Sequence, residues 1–278
     1  MTNLMAGKRG LICGVANEKS IAWAIARNLA QHGAELAFTY QGEALERRVA
    51  PLAQSVGSDF LLSCDVTQEH EIDDLFKNLQ KRWDKIDFLV HAIAFSDKQE
   101  LKGQYLQTSR DNFLRPMDIS CYSLTAMVQR ALPMLNEGAS ILTMTYYGAE
   151  RVMPHYNVMG VAKAALEASV RYLAVDLGQK QVRINAISAG PIKTLAASAI
   201  GDFRYILRWN EMNAPLRRNV DANEVGQSAL YFLSPLSSGV TGEIHHVDSG
   251  YHVTGMVFPD AADEASKLLE ELSAKNNV

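Results

Sequence analysis

Short apolar runs alternate along the chain with longer segments in which apolar residues recur every three or four positions. The short runs predict buried strands, and the 3.6-residue spacing predicts amphipathic helices. The predicted strands span residues 9–14, 35–40, 59–64, 86–91, 138–145, 182–187 and 242–247. The predicted helices span residues 21–32, 43–56, 69–83, 110–132, 155–177, 221–233 and 260–275.

Strand and helix alternate with short connections, which is typical of a parallel sheet covered by helices on both faces. No internal repeat and no linker-like stretch divides the chain. We therefore predict a single α/β domain over residues 1–278, a doubly wound Rossmann-type parallel sheet of about seven strands.

Three segments do not follow this alternation of strand and helix. Residues 92–109 have weak periodicity and predict a loop at the carboxyl end of the fourth strand. Residues 195–215 follow a Gly-Pro turn, are amphipathic and rich in aromatic residues, and predict a lid that is poorly ordered without ligand. The C-terminal segment, residues 257–278, predicts a surface helix or an oligomer contact.

The amino-acid composition limits the classes of protein to which the chain could belong. A hydrophobic fraction of 47% with 21% charged residues is ordinary for a chain that buries a large core, and a net charge of −4 gives no reason to expect nucleic acid. The three cysteines are far apart and lack metal-ligand spacing, which favours free thiols in a reducing compartment. No secretory h-region and no membrane-length apolar run is present, so we expect a cytoplasmic protein.

The carboxyl ends of parallel strands meet at one edge, and ligands bind there. The first strand ends at Gly14, which can make a tight turn, although residues 14–22 lack the GxGxxG pattern. Ser20 opens the following helix, where it either caps the helix or meets a phosphate. The turn is therefore a candidate dinucleotide site.

The second strand ends at Gln41 instead of the acid that usually binds the adenosine ribose. A neutral amide can bond ribose hydroxyls but offers no charge to a 2′-phosphate, so the sequence favours NAD over NADP. Asp65, after the third strand, is suited either to the adenine amino group or to capping the next helix.

The stretch around Tyr156 and Lys163 carries the candidate chemistry. A helix is predicted over about 155–177, and Pro154 is expected in its first turn, where a missing N–H costs nothing. Seven residues at about 100° each return nearly to the same face and rise about 10 Å, so the phenol and the ammonium point the same way. Tyr146, at the end of the fifth strand, borders the same cleft. The three groups could hold two parts of one elongated ligand.

Several ordered motifs resemble one protein family. They are the Tyr156-x6-Lys163 pair, Gly14-x5-Ser20-x-Ala22, and the segments 34–41, 64–66, 185–191, 194–198 and 242–248. Together they resemble the divergent branch of the short-chain dehydrogenase/reductases, and within it the NADH-dependent enoyl-acyl-carrier-protein reductases of bacterial fatty-acid synthesis. The resemblance runs from about residue 8 to about residue 256.

The resemblance implies a role for each matched residue. Tyr156 would be the catalytic phenol, Lys163 would hold the nicotinamide ribose, and Tyr146 would be a second active-site tyrosine, although an ordinary strand-end tyrosine is an equal alternative. The expected NADH-binding residues are Gly14, Ser20, Ile21, Gln41, Asp65, Val66, Ile93, Lys163, Ile192, Lys193, Thr194, Leu195 and Ala196. The expected substrate residues are Ser96, Tyr146, Tyr156, Met159, Ala197, Ile200, Phe203 and Ile206.

The same resemblance implies that the substrate is a trans-2-enoyl thioester on acyl-carrier protein and that the chain forms a homotetramer. Arg204 and Arg208, on the outer face of the lid, would either meet an acidic carrier protein or form a solvated face. Departures from the family pattern are small: Ala92 and Ala94 replace Ser and Gly, Thr145 replaces Ser, and Ser249 replaces Gly.

Two other functions stay open. A carbonyl reductase or alcohol dehydrogenase of the wider group would favour Tyr-x3-Lys, and a cofactor-sensing protein would lack catalysis. The histidines lie on unrelated elements, which indicates no metal site, and no GxSxG motif suggests a hydrolase.

Overall fold

The computed structural model describes residues 3–99, 101, 103–195, 197 and 200–276. In these residues one parallel sheet forms the centre of the molecule, in the order β3-β2-β1-β4-β5-β6-β7. Its strands are β1 (Arg9–Cys13), β2 (Glu35–Tyr40), β3 (Leu61–Ser63), β4 (Ile86–His91), β5 (Leu135–Thr145), β6 (Arg183–Ala189) and β7 (Ile244–Val247). The chain reverses its direction of growth between β1 and β4, which creates the crevice expected of a doubly wound sheet. The predicted fold is confirmed.

Helices cover both faces of the sheet. They are α1 (Ile21–Gln31), α2 (Gly42–Ser55), α3 (Glu69–Gln80), α4 (Arg110–Met117), α5 (Ser123–Ala131), α6 (Val158–Gly178), α7 (Phe203–Asn213), α8 (Ala222–Leu233) and α9 (Ala262–Asn276). Successive strand residues point to opposite faces, so Leu11 packs in the core under α3, α5 and α6, while Ile12 packs in the core under α1 and α8. This double burial explains why the strands are continuously apolar.

The predicted helix over 110–132 is interrupted. It consists of α4, a π-helical turn over Asp118–Tyr122, and α5. Pro116 has no N–H to donate to the preceding turn, so the regular ladder cannot run through it. The interruption matters because it turns the end of α4 toward the carboxyl edge of the sheet.

The helix predicted from residue 155 begins later, at Val158. His155 and Asn157 have positive φ values of 59° and 41°, which no right-handed helix accommodates. Tyr156 therefore lies in a turn before α6, and Pro154 is not in its first turn. Several other bounds also differ by a few residues: for example, β5 starts at Leu135, α3 ends at Gln80 and β7 starts at Ile244.

Two helices stand apart from the sheet. α7 lies in the predicted lid, and α9, from the C-terminal segment, packs against it through a separate apolar cluster centred on Met212, Ala265 and Leu268. No helix among the described residues has the length and apolar character that crossing a membrane requires.

Candidate active site

A cleft of about 350 Å³ opens at the carboxyl ends of β1 to β4. It brings together five of the residues predicted to bind the dinucleotide, which are Gly14, Gln41, Asp65, Val66 and Ile93. The cleft also includes residues that sequence reasoning missed, among them Arg115 and Ile119. Those two were missed because the segment 110–132 was predicted only as a helix, with no residue of it assigned to the site. Arg115 is the one cationic side chain among the cleft residues in the described part of the chain.

Gly14 gives the cleft its floor. Its φ is 102°, and an added Cβ would lie 2.1 Å from the carbonyl oxygen of Ala92. Glycine is therefore required both for the turn and for the close approach of the two strand ends. This bare backbone beside the start of α1 fits the phosphates of a dinucleotide, because the first N–H groups of a helix have no partner within it.

Ser20 does not cap α1 with its side chain. Ser20 occupies the N-cap position of α1, but its hydroxyl makes no bond to the helix. Instead, its Oγ accepts the N–H groups of Ala16 and Asn17 at 3.0 Å and 3.1 Å. The hydroxyl oxygen therefore shapes the loop between β1 and α1.

Asp65 lies in the cleft as an acceptor. Burial alone would raise the pKa of its carboxyl, but hydrogen bonds from Thr67 and Gln41 outweigh burial and leave the pKa lowered. Thr67 donates both its N–H and its hydroxyl to Oδ1, at 2.9 Å and 2.8 Å. The N-cap of α3 is Gln68, so the alternative role of Asp65 as that cap is excluded. A carboxylate beside a neutral amide suits adenosine donors and not a 2′-phosphate.

Tyr156 and Tyr146 form a buried aromatic pair. Their ring centroids are 5.0 Å apart with the planes at 75°, an edge-to-face arrangement. Tyr156 is only 7% exposed. Burial raises the pKa of both phenols above the ordinary value. Both hydroxyls therefore stay protonated at neutral pH and are able to donate.

Lys163 is buried on α6 and keeps a polar partner. Its Nζ donates to the carbonyl oxygen of Met144 at 2.7 Å. Burial lowers the pKa of the ammonium to about 8, so it remains largely charged at neutral pH. On the next turn of α6, Glu167 accepts the hydroxyl of Thr145 at 2.7 Å, and burial raises the pKa of that carboxyl. The end of β5 is thus held to α6 by two side chains.

Two glycines allow the turn after β5 to lie against α6. A Cβ on Gly148 would lie 2.4 Å from the Tyr156 ring, and a Cβ on Gly160 would lie 2.7 Å from the Gly148 carbonyl oxygen. Because neither residue has a side chain, the backbone of residue 148 can reach α6. This contact places Tyr146 and Tyr156 side by side.

An apolar cluster surrounds the tyrosine pair. Leu101, Tyr156 and Met159 form its buried part. Tyr146, Met153 and Ile200 pack against them. Four residues predicted to contact substrate are therefore together, while Leu101 and Met153 were missed because the loop and turn that carry them show no periodic signal.

The other four predicted substrate residues lie outside this cluster. Ser96 donates to Oδ1 of Asn112 at 3.3 Å, and the Ala197 N–H donates to Oγ1 of Thr194 at 3.1 Å. On α7, Ile206 is buried and Phe203 is half-buried.

Four of the remaining predicted cofactor residues are not among those that line the cleft. Ile21 and Ile192 pack against the core under α1 and α8. Lys193 and Leu195 are exposed, and Ala196 lies outside the described residues.

The histidines are not gathered at the tyrosine pair, apart from His155 in the neighbouring turn. His91 is fully buried between Thr143 and Ser123, and burial lowers its pKa to about 3. His246 bonds Glu150 at 2.6 Å and stacks on the ring of His252 at 3.9 Å. Among the residues that the structure describes, no group of three or more possible ligands is arranged to hold a metal ion.

The sheet order, the glycine turn and the buried tyrosine–lysine pair define a nicotinamide-dependent oxidoreductase of the short-chain dehydrogenase/reductase type. Within that class, the chain belongs to the enoyl-(acyl carrier protein) reductase family, whose model matches residues 14–252. The family expected from the sequence motifs is confirmed.

Close relatives agree with this placement. The chain is 69% identical to "Enoyl-[acyl-carrier-protein] reductase [NADH] 1" of Rhizobium meliloti, over 94% of this chain and 96% of the relative. It is 52% identical to the Bacillus subtilis enzyme named FabI, over 90% and 98% of the two chains.

Solved structures give the same result. FabI of Candidatus Liberibacter asiaticus superposes with a TM-score of 0.91 at 52% identity, covering 93% of this chain and all of that one. The Anaplasma phagocytophilum reductase, solved in complex with NAD, has a TM-score of 0.89 at 56% identity, covering 94% of this chain and 97% of that one.

Proposed function

We propose that this chain reduces the 2,3 double bond of trans-2-enoyl-acyl-carrier-protein thioesters with NADH, using Tyr156 as the hydrogen-bond donor to the thioester oxygen. The predicted activity and cofactor are confirmed by the family and by relatives named as NADH-dependent reductases. The observation that supports the role of Tyr156 is its buried, protonated phenol at the centre of an apolar cluster.

Tyr156 acts on charge that develops during reduction. The bound cofactor supplies hydride to the β-carbon of the substrate, which moves negative charge to the thioester oxygen. A donor placed at such an oxygen contributes about 3–4 kcal/mol to transition-state stabilisation in comparable sites. The raised pKa of Tyr156 keeps its proton in place for this role.

Lys163 orients the cofactor in this proposal. Its ammonium offers three donors, of which one is used by the Met144 carbonyl. The others are suited to the hydroxyls of the nicotinamide ribose. Because Lys163 is fixed by burial on α6, it holds the cofactor in place while the Tyr156 phenol meets the thioester oxygen of the substrate.

Tyr146 shields the reacting groups. Its ring covers one edge of Tyr156, so water is excluded from that side of the phenol. With Met159 and Ile200 it forms an apolar wall that suits an acyl chain. We extend the proposal to a homotetramer, as the resemblance implied, that works in the cytoplasm, as expected from the sequence.

The central experiment compares Tyr156→Phe with Tyr146→Phe. The assay follows the loss of NADH absorbance with a trans-2-enoyl thioester. We expect Tyr156→Phe to lower kcat by about 10²–10³ because the donor is lost, while the KM for NADH stays unchanged. Tyr146→Phe keeps the ring and should lower kcat by less than about tenfold.

Three results would contradict the proposal. An unimpaired Tyr156→Phe variant would remove the assigned donor. Turnover of ketones but not of enoyl thioesters would support a carbonyl reductase. Binding of NADH without turnover of either substrate would support a cofactor sensor.

A further inference from the structure

The C-terminal helix α9 covers the outer face of α7. Met212 of α7 packs against Ala261, Ala265 and Leu268 of the C-terminal segment, and Tyr205 and Trp209 border the same cluster. This cluster is separate from the two cores that enclose the sheet. The two helices therefore form a small unit with its own apolar interior.

Ion pairs join the same two segments, with all the cations on one side and all the anions on the other. Arg208 of α7 pairs with Glu264 at 3.5 Å and with Glu271 at 3.3 Å. After α7, Arg217 makes two bonds to Asp260, at 2.8 Å and 3.0 Å, and its guanidinium lies 4.3 Å from the centre of the Phe258 ring. The cation predicted to face an acidic carrier protein or solvent, Arg208, is thus engaged by an acidic helix of its own chain.

The start of α7 reaches the turn that carries Tyr156. Ile200 packs in the tyrosine cluster, and a Cβ on Gly201 would lie 3.3 Å from the His155 ring. Asp202, which immediately precedes α7, lies 3.4 Å from Nε2 of His155. His155 is the neighbour of Tyr156 along the chain. A shift of α7 would therefore move groups that touch the catalytic turn.

We propose that α9 is the second helix of the substrate lid and a positioning element for the acyl substrate. By holding α7 through Arg208 and the Met212 cluster, α9 keeps Ile200 and Asp202 against the turn of Tyr156. The acyl half of the site depends on this contact, and the NADH half does not. The family match ends at residue 252, before α9 begins, so the family model does not include this element.

The kinetic part of this inference rests on the proposed function, whereas the contact itself does not. The test therefore pairs kinetics with hydrogen exchange of residues 203–213 in the full chain. The variant reverses both acids that meet Arg208, as Glu264→Lys with Glu271→Lys. Two attractive pairs become repulsive, so the KM for a soluble trans-2-enoyl thioester should rise about fivefold, with kcat and the KM for NADH within about twofold of the original.

Exchange of the α7 amides should rise about tenfold in the same variant, because the helix loses its cover. Adding Arg208→Glu restores opposite charges. It should bring the KM for the thioester most of the way back to its original value and restore most of the protection of the α7 amides from exchange. Glu270→Lys is the control on α9 for one of the two reversals, since it makes the same charge change as Glu271→Lys without an ion pair to Arg208 among the described residues. It should change neither readout.

Unchanged exchange and an unchanged KM in the double variant would overturn the inference, and so would an equal effect of Glu270→Lys. A loss of kcat with an unaltered KM would also overturn it, because a positioning role predicts the reverse. If the original chain failed to reduce enoyl thioesters, the proposed function would fall. The exchange measurement would still decide whether α9 holds α7.

Discussion

The dinucleotide cleft and the lid are fixed in different ways. The cleft is built from the ends of β1 to β4, of which β1, β2 and β4 have a neighbouring strand on both sides and apolar packing on both faces, while β3 is an edge strand. The lid is built from α7 and α9, which share a small cluster and a few exposed ion pairs. A cleft of this kind tolerates little change, whereas a lid of this kind can adapt. The molecule therefore binds its cofactor in a rigid cleft and its substrate under an adjustable lid.

The largest expected effect contrasts one glycine from each region. Gly14→Ala forces a Cβ onto the Ala92 carbonyl at a positive φ, so we expect a loss of about 2–4 kcal/mol in unfolding free energy and about 100-fold in NADH affinity. Gly201→Ala meets only the edge of the His155 ring and should cost less than about 1 kcal/mol. Thermal unfolding and NADH fluorescence titration measure both. Equal losses of stability and of NADH affinity in the two variants would show that the cleft is no more rigid than the lid.

A second test concerns pH. Burial lowers the pKa of Lys163 from 10.5 to about 8. As pH rises through about 8, the ammonium loses its proton, so kcat/KM for NADH should fall by up to about tenfold per pH unit above that value. Tyr156 does not account for this fall because its pKa is raised. Lys163→Arg, which stays charged, should move the fall to higher pH, and an unaltered profile in that variant would assign the fall to another group.

Stability should respond to pH with the opposite sign. Between about pH 8 and 10.5 the unfolded chain binds more protons at Lys163 than the folded chain does. The contribution of Lys163 to the unfolding free energy therefore increases with pH in this window, because the cost of burying the charge disappears. Denaturant titrations between about pH 8 and 10.5 would measure this contribution as the difference in pH dependence between the original chain and Lys163→Met, which has no proton to lose.

The smallest expected effect is at Ser249, just after β7. Its φ is 59°, and its buried Oγ has no hydrogen-bond partner among the described residues. Ser249→Gly relieves both problems and should add about 1 kcal/mol of stability, or about 2–4 °C in Tm. Ser249→Ala removes only the hydroxyl and should gain less. A lower Tm for the glycine variant would show that the left-handed backbone here is not strained.

The regular part of the fold was predictable from sequence because burial on two faces leaves a strong pattern. β2 and β4 have the predicted bounds, and β1 differs only at Gly14. Of the predicted cofactor residues, those at strand ends meet in one cleft since topology alone brings them there.

The irregular part was not predictable in the same way. The positive φ values of His155 and Asn157 leave no periodic trace, so the start of α6 was predicted three residues too early. The π turn after Pro116 was not predicted either, and Arg115 and Ile119, on either side of its start, line the cleft. The contact of α9 with α7 depends on pairs more than forty residues apart, such as Arg208 with Glu264. Local spacing carries no information about such pairs.

The glycine contact between the turn after β5 and α6 limits how this site could be redesigned. Neither Gly148 nor Gly160 has room for a methyl group. A Cβ on Gly148 would overlap the Tyr156 ring, and a Cβ on Gly160 would overlap the backbone of Gly148. A combinatorial library aimed at longer or branched acyl groups would gain nothing by varying these two positions. The library should vary Leu101, Met153 and Ile200 instead. These side chains pack around the two tyrosines, so substitutions there change the shape of the apolar cluster and leave the tyrosines in place.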